Sequence, residues 1–424
     1  MKLLIKNGRV IDPASGKDGQ YDVLVVDGTI KKVAKTIEEE ADNVLDAKDC
    51  FVMPGLIDLH VHLREPGFEY KETIETGCRA AASGGFTTIV AMPNTKPVAD
   101  SKEIIQLVQQ KAESCSKVNV LQAGAITKGQ LGQELADIEG MVSIGCPAIS
   151  EDGKSVRNAH LYKQAMEIAA KKNIPVLAHC EDIDLVNSGV VNQDDRMKEL
   201  NLPGISNCVE DVIIARDILL AKETGTKLHL CHCSTKDSVQ LVKMAKEEGL
   251  SVTAEVCPHH FTLTTDDLDP QNSNFKMNPP LRTKEDVEAL KLGLKNNIMD
   301  VISTDHAPHG EEEKKAGMLK APFGIVGLET AVPLTITELV ETGYLTPMQM
   351  AEKLSYNPAK VLGIDKGTLL EGKTADIVII NPNEEYSIDT AQFESKGKNT
   401  PFHGRRVKGK VCATIADGTI IYKR

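Results

Sequence analysis

Hydrophobic and polar positions divide the chain into two kinds of segment. Residues 1–54 and 366–424 contain short hydrophobic runs separated by Asn-Gly and Asp-Gly pairs. Such pairs tolerate positive φ and are typical of β-hairpin turns. The pattern predicts hairpins at Asn7-Gly8, Asp27-Gly28 and Asp417-Gly418. Because both ends of the chain share this pattern, we expect them to pair into one small β-sandwich domain, made of residues 1–54 and 366–424.

Residues 55–365 follow a different pattern, in which apolar runs alternate with amphipathic stretches. The predicted strands are Leu56–His62, Thr87–Met92, Asn119–Ala125, Val142–Ile149, Pro175–His179, Lys227–His232, Ser251–Cys257 and Asp300–Thr304. The predicted helices are Glu72–Ala82, Lys102–Lys111, Ala159–Lys171, Cys208–Lys222, Lys236–Glu248 and Lys284–Leu294. Eight strands alternating with helices indicate an α/β fold, a (β/α)₈ TIM barrel. An open doubly wound sheet is the alternative, but no Gly-rich dinucleotide fingerprint follows an early strand.

Composition and charge exclude several classes of partner. The 424 residues are 41% hydrophobic and 26% charged, with a formal net charge of −12. An acidic chain is a poor partner for nucleic acid or for an anionic membrane, because both attract basic patches. The N-terminus lacks the apolar region of a secretion signal, and the ten cysteines include no Cys-x-x-Cys pair. We therefore expect a cytoplasmic protein with reduced cysteines.

The first strand of the middle segment has two faces of opposite chemistry. Because strand side chains alternate, Asp58, His60, His62 and Arg64 point away from the hydrophobic face. Imidazole is the commonest metal ligand in proteins, and two imidazoles at i and i+2 on a strand can reach one ion. Asp58 is either a hydrogen-bond acceptor that orients one imidazole or a buried structural carboxylate.

Further candidate ligands fall at the ends of the later predicted strands, where a barrel places its active site. Their positions are Ser150–Gly153 after the fourth strand, His179, His232 and Asp305. Nitrogen and oxygen donors of this kind suit zinc or a similar divalent ion. We interpret His229, His259, His260 and His306 as hydrogen-bonded structural histidines, and Cys231 and Cys233 as packing residues facing away from His232. The pattern predicts a metal site.

These residues resemble a known family. Residues 54–62, Pro-Gly-Leu-Ile-Asp-Leu-His-Val-His, resemble the first-strand signature of the metal-dependent amidohydrolase superfamily. The continuation His60–Gly67 is similar to that of the cyclic amidases. Four further strings resemble the dihydroorotase family in its longer bacterial type: Met92–Thr95, Lys276–Arg282, Thr304–His309 and Gly372–Asp376. The resemblance covers nearly the whole chain and implies reversible hydrolysis of dihydroorotate to N-carbamoyl-aspartate, a step of pyrimidine synthesis.

The resemblance also implies a ligand set. One zinc would be held by His60, His62 and Asp305, and a second by His179 and His232. Many relatives bridge the two ions with a carbamylated lysine, which this chain lacks. Asp152 is the expected bridging carboxylate, and Glu151 is the alternative. The resemblance implies two ions, but a carboxylate can bridge two ions or bind only one, so their number stays open. Asp305 would also shuttle the catalytic proton.

Substrate contacts are implied in the same way. The expected residues are His62, Arg64, Asn94, Asn278, His309 and the backbone of Phe323-Gly324. Arg64 could instead form a surface ion pair, and the two asparagines could be turn residues, since each adjoins a proline. The charged loop at 310–321 is either a lid over the substrate or a solvated surface.

Partners and rival functions follow from the resemblance. A homodimer is expected, and a complex with aspartate transcarbamoylase is conceivable. Allantoinase, hydantoinase and dihydropyrimidinase are the nearest rival activities, although those relatives generally carry the bridging lysine. A rival of another class is a non-catalytic scaffold, but such relatives usually lose metal ligands that this chain retains.

Overall fold

The α/β fold contains one mixed sheet and several parallel ones. A computed structural model describes residues 1–424. Strands β1 to β19 are, in order, Lys2–Asp12, Lys17–Val26, Thr29–Ala34, Asn43–Asp46, Phe51–Pro54, Leu56–Val61, Phe86–Ala91, Asn119–Gln122, Gly124–Ala125, Ile149–Ser150, Val176–Ala178, Val191–Asn192, Gly204–Ile205, Leu228–Leu230, Val252–Val256, Val301–Ile302, Ile377–Ser387, Arg406–Ala416 and Thr419–Lys423.

Thirteen α-helices connect these strands, and most follow a side-chain cap such as Thr73, Thr235 or Thr283. Helices α1 to α13 are, in order, Ile74–Ser83, Lys102–Cys115, Ile138–Ser143, Ala159–Lys172, Asp195–Glu199, Cys208–Thr224, Lys236–Glu247, Pro258–Thr262, Lys284–Lys295, Glu311–Lys314, Ala331–Thr335, Pro347–Ala351 and Asn357–Leu362. The six predicted helices are confirmed. None of the helices combines the length and hydropathy that crossing a bilayer requires.

Both ends of the chain contribute to one eight-stranded sheet. Its order is β19-β18-β17-β5-β1-β2-β3, with β4 paired to β1. The hairpins predicted at Asp27-Gly28 and Asp417-Gly418 are confirmed by the β2–β3 and β18–β19 pairs. The hairpin predicted at Asn7-Gly8 is wrong, because β1 continues through it with a register shift between Ile5 and Gly8. Asn7 has a φ of 63°, so the pair forms a bulge in a long strand.

Apart from the two-stranded parallel sheet β12-β13, the middle strands form two parallel sheets that adjoin at both edges. One has the order β6-β7-β8 and the other β9-β10-β11-β14-β15-β16. Only Ala123 separates β8 from β9, and its N–H donates to Ala91 O. At the opposite edges, His306 forms a parallel bridge with Val61, and His62 N–H donates to His306 O at 2.8 Å. The carboxyl ends of these strands therefore face one side of the molecule.

The strand predicted at Val142–Ile149 is wrong over most of its length. Residues 138–143 form α3, because the Asp137 side chain accepts from Gly140 N–H and starts a helix. Gly145 then has a φ of 92°, and only Ile149–Ser150 pair as a strand. Apolar periodicity is shared by short buried helices and strands, so the pattern could not separate them here.

Candidate active site

Six predicted ligands meet at the carboxyl ends of the parallel strands. His60 Nε2 lies 3.1 Å from Asp152 Oδ1 and 3.6 Å from Asp305 Oδ1. His62 Nε2 lies 3.1 Å from Asp305 Oδ1 and 3.5 Å from Asp152 Oδ2. All four side chains are buried. Asp152 and Asp305 therefore both lie against His60, at the end of β6, and against His62, just beyond it.

The remaining two histidines approach from the other side of Asp152. His179 Nδ1 lies 3.5 Å and His232 Nε2 3.8 Å from Asp152 Oδ1. The same two ring nitrogens are 2.9 Å apart. A single carboxylate oxygen of Asp152 therefore faces donor nitrogens of three histidines, His60 included.

The donor set fits a divalent metal. His60 Nε2 is fully buried and has no hydrogen-bond partner of suitable geometry. Buried polar atoms are almost always hydrogen-bonded, so an orphaned imidazole nitrogen facing two carboxylates is the mark of a ligand atom. Within this cluster, two groups of three donor atoms lie close enough for one ion: His60, His62 and Asp305, and His60, Asp152 and His232.

The two candidate bridging carboxylates have different partners. Glu151 accepts from the backbone N–H groups of Ile126 and Thr127 at 3.1 and 3.0 Å and from the Thr127 hydroxyl. Its oxygens are therefore used in joining two loops. Asp152 points at the histidines and accepts from Asn94 Nδ2 at 3.2 Å. Of the two, only Asp152 lies among the candidate ligands.

A carboxylate that sequence reasoning missed orients His60. Glu255 of β15 lies 3.2 Å from His60 Nδ1, and its other oxygen lies 2.9 Å from His229 Nε2. A carboxylate on the second ring nitrogen fixes the tautomer that leaves Nε2 free for a metal. Asp58 has the structural role, because it accepts from the backbone N–H groups of His60 and Thr304. Glu255 could have been found from the sequence by its place on a predicted buried strand, since an unpaired carboxylate is rare there.

Cys231 also lies beside this pair, within 4.8 Å of donor atoms of His60 and Glu255. The expectation that it packs in the core is confirmed, since it belongs to a buried cluster with Ile57 and Leu59. Strand alternation does not describe its orientation, because β14 ends at Leu230 and His232 has a φ of 36°.

Electrostatics in the cluster favour ionised carboxylates. Burial alone raises the pKa of Asp152, but His60, His179 and His232 hold that pKa well below its usual range. Burial likewise opposes ionisation of Glu255, and His229 and His60 outweigh it, so its pKa is also lowered. Asp58 has no such cation, and burial raises its pKa to about 7.

The predicted substrate residues line one cavity of about 360 Å³ beside the ligand cluster. This volume suits a small ring compound. The lining residues are His62, Arg64, Asn94, Asp152, Gly153, His179, Glu181, His232, Asn278, Asp305, Ala307, His309, Phe323 and Gly324.

Arg64 and His309 lie beside each other in the lining of this cavity. Arg64 Nε donates to Pro308 O at 3.1 Å, and one of its terminal nitrogens lies 3.3 Å from His309 Nε2. His309 Nε2 also lies 2.8 Å from Phe323 O. Burial, followed by the cations Arg64, Lys71 and Lys314, lowers the pKa of His309 to about 2, so the imidazole is neutral. No carboxylate pairs with Arg64, so its charge is available to an anionic ligand.

The two asparagines connect the cavity to the ligands. Asn94 Oδ1 lies 2.9 Å from His62 Nδ1. Asn278 Nδ2 donates to Glu181 Oε1 at 2.8 Å, and Glu181 Oε2 lies 3.1 Å from His179 Nε2. Glu181 was missed from the sequence, although it stands two residues after His179, as in the pattern of His60 and His62.

Positive φ angles occur at three residues of the site. They are 61° at Arg64, 36° at His232 and 48° at Asp305. Left-handed backbone is uncommon outside glycine and tends to be held where function requires it. At these positions the chain leaves its strand and turns the side chain toward the cluster.

Comparisons with known proteins identify relatives of this chain. Residues 50–238 match the model of the "Dihydro-orotase-like" family. The dihydroorotase of Acetivibrio thermocellus is 47% identical over 99% of this chain and 99% of that protein. The dihydroorotase of Pelotomaculum thermopropionicum is 50% identical over 99% of this chain and 98% of that protein. The structure of L-hydantoinase from Arthrobacter aurescens superposes with a TM-score of 0.89 at 27% identity, covering 99% of this chain and 96% of that one.

The fold and the ligand cluster together define a cyclic amide hydrolase of the metal-dependent amidohydrolase class. Within that class, the full-length identities are to dihydroorotases. The chain belongs to the dihydroorotase family.

Proposed function

We propose that the chain hydrolyses the ring amide of dihydroorotate reversibly to N-carbamoyl-aspartate, the dihydroorotase step of pyrimidine synthesis. One observation carries the proposal. An unpaired, half-buried Arg64 lines the same cavity as five of the six converging candidate metal ligands. A cyclic amide with an attached carboxylate suits both features, because its carboxylate can bind Arg64 while its amide lies at the candidate metal ligands.

We further propose that the two parallel sheets constitute a single (β/α)₈ barrel. Support comes from the contact of β8 with β9 through Ala123 and from the His306–Val61 bridge at the other edges. The barrel would comprise residues 55–365, and residues 1–54 and 366–424 a small β domain. Active sites in such barrels stand at the carboxyl ends of the strands, as this cluster does.

The proposed metal is zinc, two ions per subunit. His60, His62 and Asp305 would hold one, His179 and His232 the other, and Asp152 would bridge them. Bound zinc would polarise the amide carbonyl and lower the pKa of an attacking water. Nitrogen and carboxylate donors without thiolates are typical of catalytic zinc.

The protein's own groups have separable roles in this reaction. Asp305 accepts the proton of the attacking water and delivers it to the departing ring nitrogen. Glu255 keeps His60 oriented, and Asn94 does the same for His62. Burial of the cluster excludes bulk water, so each hydrogen bond within it is stronger than in solvent.

Substrate selection would depend on the part of the cavity lined by Arg64, His309 and Asn94. Arg64 binds the carboxylate with its free guanidinium N–H groups, and neutral His309 and Asn94 contact the same group. Asn278 and the backbone of Phe323-Gly324 face the ring. Hydantoin and dihydrouracil lack a carboxylate, so Arg64 would contribute nothing to their binding.

A comparison of two substrates tests this assignment. Replacing Arg64 with Met should raise the KM for dihydroorotate about 10- to 100-fold, since charge-assisted bonds contribute about 1.5–3 kcal/mol. The KM for dihydrouracil should stay unchanged, and so should bound zinc. Arg405→Met, at an ion pair with Glu338, is the control. Loss of zinc in Arg64→Met, or an equal effect on both substrates, would contradict the assignment.

The homodimer and the complex with aspartate transcarbamoylase stay predictions from the family resemblance, and the cytoplasmic location stays a prediction from the N-terminal sequence and the cysteine pattern.

A further inference from the structure

Lys314 is a buried lysine whose side chain contacts no carboxylate. Its residue is only 6% exposed. The Nζ atom donates to three backbone carbonyls: Lys276 O at 3.2 Å, Pro322 O at 3.0 Å and Gly324 O at 3.0 Å. Burying an amino group costs free energy unless its hydrogen bonds are made, and all of the side-chain bonds of Lys314 go to these carbonyls.

The three carbonyls belong to the two loops that face the substrate ring. Lys276 lies two residues before Asn278, in the loop after β15. Pro322 and Gly324 flank Phe323, in the loop after β16. Gly324 N–H also donates to Lys276 O at 3.0 Å, so this oxygen of one loop accepts from Lys314 and from the backbone of the other loop. Lys314 and this backbone bond together join the loop of Asn278 to the Phe323-Gly324 backbone.

The loop that contains Phe323 and Gly324 is also restrained by contacts other than those with Lys314. Gly324 has a φ of 121°, and a Cβ there would stand 2.6 Å from Ala307 Cβ. Asn399 Nδ2 donates to Gly324 O at 3.1 Å and to Ala307 O at 3.0 Å. The Gly324 carbonyl is thus held by Lys314 from one side and by Asn399 from the other. Loss of either donor should displace backbone that lines the cavity.

We propose that Lys314 is a positioning residue for substrate: its amino group holds the two proposed ring-binding loops together at the spacing in which the substrate ring binds. Lys314 is absent from the cavity lining, so it acts through Asn278, Phe323 and Gly324 rather than by contact. The inference rests on the proposed function and adds to it a determinant of ring affinity outside the metal cluster.

The chain offers a matched control in Lys353. It is equally buried, at 1% exposure, and its Nζ donates to Asn297 Oδ1 and Met299 O, both at 2.8 Å. These acceptors precede β16 and lie at the amino ends of the strands, away from the cavity. Replacing Lys353 removes the same kind of interaction without touching the ring-binding loops.

The experiment compares Lys314→Met with Lys353→Met in the zinc-loaded, full-length enzyme. For Lys314→Met we expect the KM for dihydroorotate to rise about tenfold while kcat changes by less than about threefold. The Kd for orotate, a planar pyrimidine carboxylate that is not hydrolysed, should rise by the same factor. Lys353→Met should lower the melting temperature but leave KM and Kd within about twofold of wild type.

Four outcomes are decisive. An unchanged KM and Kd in Lys314→Met would overturn the positioning role, as would an equal rise in Lys353→Met. The wild type must first be shown to be active. If it neither hydrolyses dihydroorotate nor binds orotate, the proposed function itself is contradicted. If Lys314→Met does not fold, Lys314→Gln retains two N–H donors and should show at least about a threefold rise in KM. A wild-type KM in that variant would again overturn the proposal.

Discussion

Adjacent side chains of this site have different roles because their neighbours differ. Glu151 and Asp152 stand side by side in the chain, yet one is bonded to backbone N–H groups and the other faces three imidazoles. The sequence restricted the bridging carboxylate to these two residues. It could not choose between them, because the direction of each side chain depends on the loop after β10. The same holds for Glu255, whose partners His60 and His229 belong to other strands, and for Glu181, which bonds to Asn278 in a distant loop.

The contrast between the two carboxylates gives a first prediction. Asp152→Asn should reduce zinc content strongly, because the amide nitrogen cannot bind a cation. Glu151→Gln should retain zinc and lose about 1–3 kcal/mol of stability, since its bonds to Ile126 and Thr127 are disturbed. Elemental analysis and denaturant unfolding of both variants measure this. Zinc loss in Glu151→Gln with full zinc in Asp152→Asn would reverse the assignment.

Asp305 carries the second prediction at this scale. Asp305→Asn should lower kcat by at least about 100-fold in both directions, because the proton shuttle is lost. Asp300→Asn is the control, since Asp300 precedes the same strand and pairs with Lys246 at its amino end. That control should lose stability and keep its kcat. Asp305→Asn activity within about tenfold of wild type would remove Asp305 from the mechanism.

At the scale of elements, the sequence predicted where most strands and helices lie but not how each strand ends. Strand β6 stops at Val61, and Arg64 has a φ of 61°, so alternation along the strand does not explain its direction. Helices α11 to α13 were not predicted, because short helices joined through π turns have no clean 3.6-residue period. The candidate ligand histidines converge because the carboxyl ends of strands share one side of a parallel sheet.

Helix α10 allows a prediction about pH. Burial and then Lys276 lower the pKa of Lys314 to about 7 from an ordinary value of 10.5. The groups that face it are Lys276 and His309. Between these two pH values the unfolded chain binds more protons at this position, so folding becomes more favourable as pH rises.

The measurable quantity is the difference in unfolding free energy between wild type and Lys314→Met. We expect the unfolding free energy of wild type, relative to that of the variant, to rise by up to about 1.4 kcal/mol for each pH unit above 7. Denaturant unfolding at pH 7, 8 and 9 with fixed zinc gives the slope. A difference that is flat or falls with pH would show that Lys314 keeps its ordinary pKa.

At the scale of the molecule, the terminal sheet and the parallel sheets share one core. A cluster of 72 buried residues includes Met53 and Val411 of the terminal sheet together with Phe86 and Ile89 of β7. Thr414 Oγ1 donates to Ala82 O at 2.7 Å, which joins β18 to α1. The pairing of the two chain ends was predictable from their hairpin signals, whereas this shared core depends on packing that no local pattern contains.

A shared core predicts cooperative unfolding linked to metal. Thermal unfolding of the zinc-loaded protein should show one transition, and chelation should lower its midpoint by at least about 5 °C, since a bound ligand stabilises only the native state. Asp152→Asn, which binds zinc poorly, should be nearly insensitive to the chelator. Two transitions of which only one responds to chelation would show that the terminal sheet folds independently.

The most direct test of the proposed function is the substrate preference of the zinc-loaded wild type. We predict that kcat/KM for dihydroorotate exceeds that for hydantoin, allantoin and dihydrouracil by at least about 100-fold, because only dihydroorotate offers Arg64 a carboxylate on a six-membered ring. Faster turnover of any of the other three would contradict the assignment of this site to dihydroorotate.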